Sequence, residues 1–319
     1  MSKVCSMSKL DIAIAGEINL DLILYGLPEQ MPTERELLAS GFTITLGSSS
    51  AILAHNMAAL GSRVGFVTKV GDDSFGALAM ERLRERGVDL AHVVHGARSG
   101  VTLILPHESG RHILTYPGTI SELRLDDLDL EYLASARHFH ISSLFLQRKL
   151  LPHVPELFRR MKSAGLTTSL DTNDDPDDRW GGVLEEVLPH VDILLPNERE
   201  AMKLSRSDDL ETAILRLAQK VETVVVKMGA SGAIAIRDGR RLAAPAVPVA
   251  VIDPVGAGDS FDAGFLHQFL RGADLATSLA YGNLCGAFST TACGGTEAFR
   301  DAARMEEFFR RGDSGSQPR

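Results

Sequence analysis

Cysteine is nearly absent. The 319 residues hold Cys5, Cys285 and Cys293 only, an odd number with no CxxC pair. That argues against a disulfide framework and fits a reducing, cytoplasmic setting. Basic residues are outnumbered, 33 against 42 acidic, for a formal charge of -9. No cluster of Lys and Arg stands out, so nucleic acid is not an expected partner. No apolar run reaches the ~20 residues of a membrane span. Met1 to Leu10 lacks a long apolar core followed by a cleavage site, so no signal peptide is expected. The phosphate motif GxxxxGK[ST] is missing, and the first apolar run leads into Gly16-Glu17-Ile18-Asn19-Leu20-Asp21 rather than GxGxxG. A P-loop enzyme is excluded on that ground, and a dinucleotide fold is weakly supported.

What is present is a large core. The chain is 44% hydrophobic and 24% charged, as in a soluble globular protein. From residue 138 onward short apolar runs alternate with helical patterns, predicting a mostly parallel sheet with helices on both faces. Runs at 64–70 and 241–249 read as strands, as does the stretch 246–252. Residues 19–46 and 98–117 read as extended structure outside the main sheet, the second segment as a hairpin. The simplest organisation is one domain over residues 10–311, with loose ends at 1–9 and 312–319. His138-Phe139-His140 invites a metal reading. The simpler one is two histidines pointing to opposite faces of a strand. The acids Asp174, Asp175, Asp177 and Asp178 read as a solvated loop.

One stretch carries chemistry. Asp253-Pro254-Val255-Gly256-Ala257-Gly258-Asp259-Ser260-Phe261 puts a glycine turn at the start of an apolar helical run. Gly256 and Gly258 let a ligand approach the main chain. The amides that follow point out of a helix N-terminus, which favours an anion. Asp259 adds a carboxylate beside that anion site, a poor phosphate holder but a sensible base for a hydroxyl attacking phosphate. Asp259 also reads as a plain N-cap, and the glycines as a tight turn.

This stretch, continued to Asp262-Ala-Gly264, resembles the C-terminal signature of the ribokinase-like (PfkB) carbohydrate kinases. The resemblance runs in order from about residue 11 to about residue 300. Gly16 to Asp21, Leu46 to Gly61, Val70 to Gly76, Asn197-Glu-Arg-Glu200 and Val224 to Gly232 are each similar to family motifs. It implies a three-layer α/β/α sandwich of the nine-stranded type with a small β-sheet lid from residues 19–46 and 98–117. In many members two lids form a homodimer. It implies ATP-dependent phosphorylation of a hydroxymethyl group on a small sugar or sugar-like alcohol. A nucleoside kinase of the same fold, and a non-catalytic sugar-binding sensor, are the alternatives. Aromatics are only 6% of the chain, so an aromatic-lined base pocket is not spelled out.

The implied roles follow residue by residue. Asp259 is the general base, and Gly256, Ala257 and Gly258 form the anion hole with it. Asn19, Asp21, Gly47, Ser48 and Asn173 face the acceptor. Lys227, Gly229, Gly232 and Asn283 face the nucleotide. Asn197 and Glu200 organise Mg2+ through water and the phosphates, although Asn-x-x-Glu is also a helix capping box. In several members the residue at Asp253 and the loop near Ala292 to Gly295 hold a monovalent cation such as K+. The chain departs from the pattern near the acceptor: Ser48 replaces the second glycine, Ser49 a lysine and Ile52 an asparagine. Asp175 stands where sugar-acid and fructose kinases often carry arginine.

Overall fold

A computed structural model describes residues 10–314. The expected loose end at 1–9 lies outside them, as does most of that at 312–319. In chain order the elements are β1 (Ile12–Ala15), β2 (Asn19–Tyr25), β3 (Gly41–Gly47), α1 (Ser49–Ala59), β4 (Val64–Val67), β5 (Lys69–Gly71), α2 (Ser74–Arg84), β6 (Val94–Gly96), β7 (Gly100–His107) and β8 (Gly110–Tyr116). Then come α3 (Leu130–Ala134), β9 (His138–Ser142), α4 (Val154–Ser163), β10 (Thr167–Asp171), α5 (Val183–Val187), β11 (Ile193–Leu194), α6 (Glu198–Ser205) and α7 (Leu210–Ala218). The chain ends with β12 (Thr223–Lys227), β13 (Ala233–Arg237), β14 (Arg240–Ala244), α8 (Ala257–Leu270), α9 (Leu275–Ser289) and α10 (Ala302–Ser314).

Eight strands form the main sheet in the order β14-β13-β12-β11-β10-β9-β1-β4. The pairs from β12 to β4 are parallel, and β13 and β14 add an antiparallel edge. The count is eight, not nine: the expected strand at 64–70 divides at Thr68, and β5 pairs with β6 instead. Alternation along the central strands sorts their side chains into two layers. Ala13, Phe139, Ile141, Leu170, Val224 and Val226 join Leu157, Phe158, Ile214 and Leu217 of α4 and α7 on one face. Ile12, Ile14, Phe66, Ile193 and Val225 join Leu53, Met57, Leu83, Phe265 and Leu279 of α1, α2, α8 and α9 on the other. Each layer is buried, which gives the three-layer α/β/α sandwich.

The strand expected over 246–252 does not form. Regular pairing stops at Ala244, and the chain runs without a partner strand to the start of α8. Pro245, Pro248 and Pro254 punctuate that run, and proline supplies no N–H to a ladder.

A second sheet stands apart, in the order β3-β2-β7-β8. Its β2 and β7 are parallel, and both outer pairs are antiparallel. It is the lid, built from the two segments read as extended. Residue 140 lies two places beyond 138, which puts His138 and His140 on the same strand face, not opposite ones. Both hydrogen-bond Ser169 Oγ, at 2.7 and 2.6 Å. Thr167 and Ser142 hold the remaining ring nitrogens at 2.7 Å. The pair is a satisfied core ladder, held neutral first of all by burial.

Candidate active site

The parallel strands end on one side, and the loops there assemble the site. The turn before α8 is tight. Gly256 has φ of 73°, and a Cβ there would lie 2.4 Å from Gly295 Cα. Only glycine fits both demands. Asn56 secures the junction, donating to Ser260 Oγ at 2.9 Å and to Gly295 O at 3.0 Å. Asp259 follows in the first turn of α8, where the dipole favours its charge.

A cavity of about 460 Å3 opens beside this turn. Ala257 and Gly258 line it, together with Lys227, Gly229, Gly232 and Asn283. One wall is the unpaired stretch Ala246 to Val249, with Val251. Sequence reading missed that wall by assigning it to a strand; the three prolines were the available signal. Asn283 donates to the carbonyls of Ala244 and Pro245, both at 3.0 Å, and so ties α9 to the start of the wall. Gly232 has φ of 93°, and a Cβ there would meet Ala244 O at 2.1 Å. Lys227 lines the cavity, yet its ammonium is held between Asp171 Oδ2 at 2.8 Å and Asp262 Oδ2 at 3.0 Å. Burial opposes its charge, but the carboxylates of Asp171, Asp262 and Glu200 outweigh that and raise its pKa.

On the other side of Asp259 lie the lid strands. Asn19 and Asp21 sit on β2, both buried. Asn19 donates to Thr102 Oγ1 at 2.7 Å and accepts from Ser48 Oγ at 2.9 Å. A Cβ on Gly47 would stand 2.1 Å from Asp21 Oδ1 and 2.4 Å from Asn19 Oδ1, so the absent side chain makes room for both. Ser48 has φ of 67°, the left-handed region its glycine counterpart would enter freely. Asn173, with φ of 52°, donates to Ser49 Oγ at 2.5 Å and Ser143 Oγ at 2.9 Å. Ser49 in turn hydrogen-bonds Asp259. Strained backbone thus clusters around the groups expected to face the acceptor. Glu17, which no motif singled out, is buried beneath them and accepts from Ser50 Oγ at 2.6 Å.

The site crowds its carboxylates. Burial, then the charge of Asp171, pushes Asp259 up to about 6, against Lys227 and the hydrogen bond from Ser49. Burial, then the charge of Asp259, pushes Asp21 up to about 7. Asn197 and Glu200 form the capping box of α6: Glu200 N donates to Asn197 Oδ1 at 2.9 Å, and Asn197 N donates to Glu200 Oε2 at 2.9 Å. Glu200 is nevertheless pushed up to about 7, by burial and then by Asp171. Asp253 lies under the turn and accepts from Val255 N, Gly294 N and Tyr25 Oη, each at 3.0 Å.

The acidic loop is not simply solvated. Asp175 is buried and accepts from the amides of Asp177, Arg179 and Trp180 at 2.8–3.0 Å. Asp174 and Asp178 pair with Arg199 and Lys203, each at 2.9 Å. Cys285 is a buried packing residue.

The chain is similar to known kinases over most of its length. An ATP-dependent ribose-1-phosphate kinase of Halopiger xanaduensis is 30% identical over 293 residues, covering 90% of this chain and 93% of that protein. A fructoselysine 6-kinase of Escherichia coli is 32% identical over 234 residues, covering 71% and 82%. Among solved structures, an Escherichia coli protein assigned as ribokinase II, in complex with ATP and Mg2+, superimposes with a TM-score of 0.82 at 26% identity over 95% of this chain and 99% of that one. The sequence profile of the pfkB family carbohydrate kinases matches residues 9–302. The chain belongs to the pfkB family of carbohydrate kinases, and it is a sugar kinase of that family.

Proposed function

We propose that the protein transfers the γ-phosphoryl group of ATP to a hydroxymethyl group of a small sugar or sugar-like alcohol, with Asp259 as the general base. One observation carries the reading. Asp259 follows a glycine turn that lines a cavity of about 460 Å3, and its charge acts on Asp21 of a lid strand. A carboxylate so placed can take the acceptor proton while the amides of Gly256 to Asp259 receive the transferring phosphoryl. Its pKa of about 6 suits a base that is ionised at neutral pH and accepts a proton readily.

ATP fits the cavity lined by Gly229, Gly232, Asn283 and the apolar wall. Asn19, Asp21 and Asn173 supply acceptor and donor groups for sugar hydroxyls, with Gly47 keeping the floor open and Ser48 fixing Asn19. Mg2+ fits beside Glu200, whose carboxyl is pushed up by burial and by Asp171, a local excess of negative charge that a divalent cation relieves. Asn197 and Glu200 would hold it through water and phosphate oxygens. Bound there, Mg2+ neutralises phosphate charge. Lys227 serves the phosphate end by holding Asp171 and Asp262 in place.

We also propose a homodimer through the lid. The face turned away from Asn19 and Asp21 leaves Phe42, Leu114 and Tyr116 more than half exposed, at 53% to 56%. Such an apolar face fits a second copy. Sedimentation velocity tests it, and a monomer at micromolar concentration contradicts it.

The test of the reaction is a coupled assay with Mg·ATP across pentoses, hexoses, amino-acid-linked sugars, sugar acids and nucleosides. Turnover with a sugar supports the proposal. Turnover with nucleosides alone, or acceptor binding with no transfer to any, contradicts it.

A further inference from the structure

The family resemblance implies a monovalent cation at Asp253, and in this chain protein donors already fill most of that carboxylate. A K+ site needs oxygen lone pairs directed at a common point. The Asp253 carboxylate, 2% exposed, gives three of its roughly four lone-pair sites to protein donors instead. Val255 N reaches Oδ1 at 3.0 Å, and Gly294 N and Tyr25 Oη both reach Oδ2 at 3.0 Å. Three nearby carbonyls accept hydrogen bonds as well. Thr290 O accepts from Ile252 N at 2.7 Å and Asp253 N at 3.2 Å. Gly295 O accepts from Asn56 Nδ2 at 3.0 Å. Gly256 O accepts from Ser260 N at 2.9 Å and Ser260 Oγ at 2.7 Å.

Tyr25 is the unusual member of this set. Val255 and Gly294 are local backbone, whereas Tyr25 arrives from lid strand β2, 228 residues away in sequence. Its phenol remains a donor: burial, then Cys293 and Asp253 beside it, raise its pKa. The lid is fastened to the same loop a second time, through Thr45 Oγ1 to Glu297 Oε1 at 3.1 Å. We infer that the Tyr25 hydroxyl takes the place of a monovalent cation at Asp253, ordering the anion turn without K+ and tying that order to the docked lid. The inference concerns the ion requirement of the phosphoryl site and rests on the reading of Gly256 to Asp259 as that site.

The test does not need the acceptor, so it stands apart from the substrate reading. Thermal melting of the full chain with Mg·ADP is compared in KCl and in tetramethylammonium chloride at equal ionic strength. The wild-type protein is expected to melt within about 1 °C in the two salts. Tyr25→Phe frees a second carboxylate lone pair, on Oδ2, and K+ is expected to raise its melting temperature by about 2 °C or more over the organic cation. A K+-specific rise in the wild type overturns the inference. Equal insensitivity of both proteins removes Tyr25 from the role and overturns it too. If Tyr25→Phe does not fold, crystals of the wild type soaked in thallium(I) decide: no anomalous site at Asp253 is expected, and a site there contradicts the account.

Discussion

Lys227 Nζ stands 2.8 Å from Asp171 Oδ2, joining the C-terminal ends of β12 and β10. Asp262 Oδ2 completes the group at 3.0 Å. Burial would raise Asp171, but Lys227 and a hydrogen bond from Asp262 outweigh it and hold Asp171 below the carboxylate range. Asp262 goes the other way, raised by burial and by Asp171. The two opposite directions favour the charge on Asp171 and the proton on Asp262. Removing that charge strands a buried ammonium. Asp171→Asn is expected to cost about 3–5 kcal/mol, as for a broken buried ion pair. Asp262→Asn, neutral for neutral, is expected to cost roughly 1 kcal/mol. Urea unfolding of the two variants checks the order, and equal losses contradict this placement of the charge.

On the proposed acceptor side, space matters as well as charge. Gly47→Ala drives a methyl into Asp21 and Asn19, at 2.1 and 2.4 Å from their oxygens. The acceptor KM is expected to rise by about 10–100-fold while the ATP KM stays within about twofold, because misplacement of positioning groups acts on the bound acceptor. Asp21→Ala is expected to show the same split. Equal changes in both constants, measured by steady-state kinetics, contradict the acceptor assignment.

The raised carboxylates give two pH effects. With Asp259 at about 6, kcat/KM is expected to fall on the acid side of about pH 6, since the base must be ionised. Ser49→Ala removes a hydrogen bond that lowers Asp259, so that limb moves to higher pH, on the order of one unit. An unmoved limb argues that another group sets the profile.

Stability responds with the opposite preference. Asp21 rises from 3.8 to about 7 on folding, so the folded protein binds a proton that the unfolded chain has lost. Its contribution is most favourable below about pH 4 and is lost as pH rises through about 7. Asp21→Asn is therefore expected to melt higher than the wild type at pH 8, with the gain gone near pH 4. Calorimetry across that range checks the sign.

Much of this was legible in the sequence because it is local. The glycines and acid of 253–261, the Asn197–Glu200 spacing and the β–α alternation each sit within a few residues. What was not legible is pairing across distance. Lys227 meets Asp171 56 residues away, and Tyr25 meets Asp253 228 away. Pattern also misled where composition imitates a strand. Ala246 to Ile252 is β-branched and apolar, but prolines deny it a ladder and it becomes a cavity wall. Asp175 was hidden differently: a buried carboxylate capping three amides has the same letters as a solvated one.

The central claim is that Asp259 removes the acceptor proton. Single-turnover phosphoryl transfer by Asp259→Asn, with ATP binding measured in parallel, tests it most directly. The account predicts transfer slowed at least about a hundredfold, the typical loss for a positioned base, with ATP affinity within about twofold of the wild type. Transfer at near-wild-type rate would contradict it.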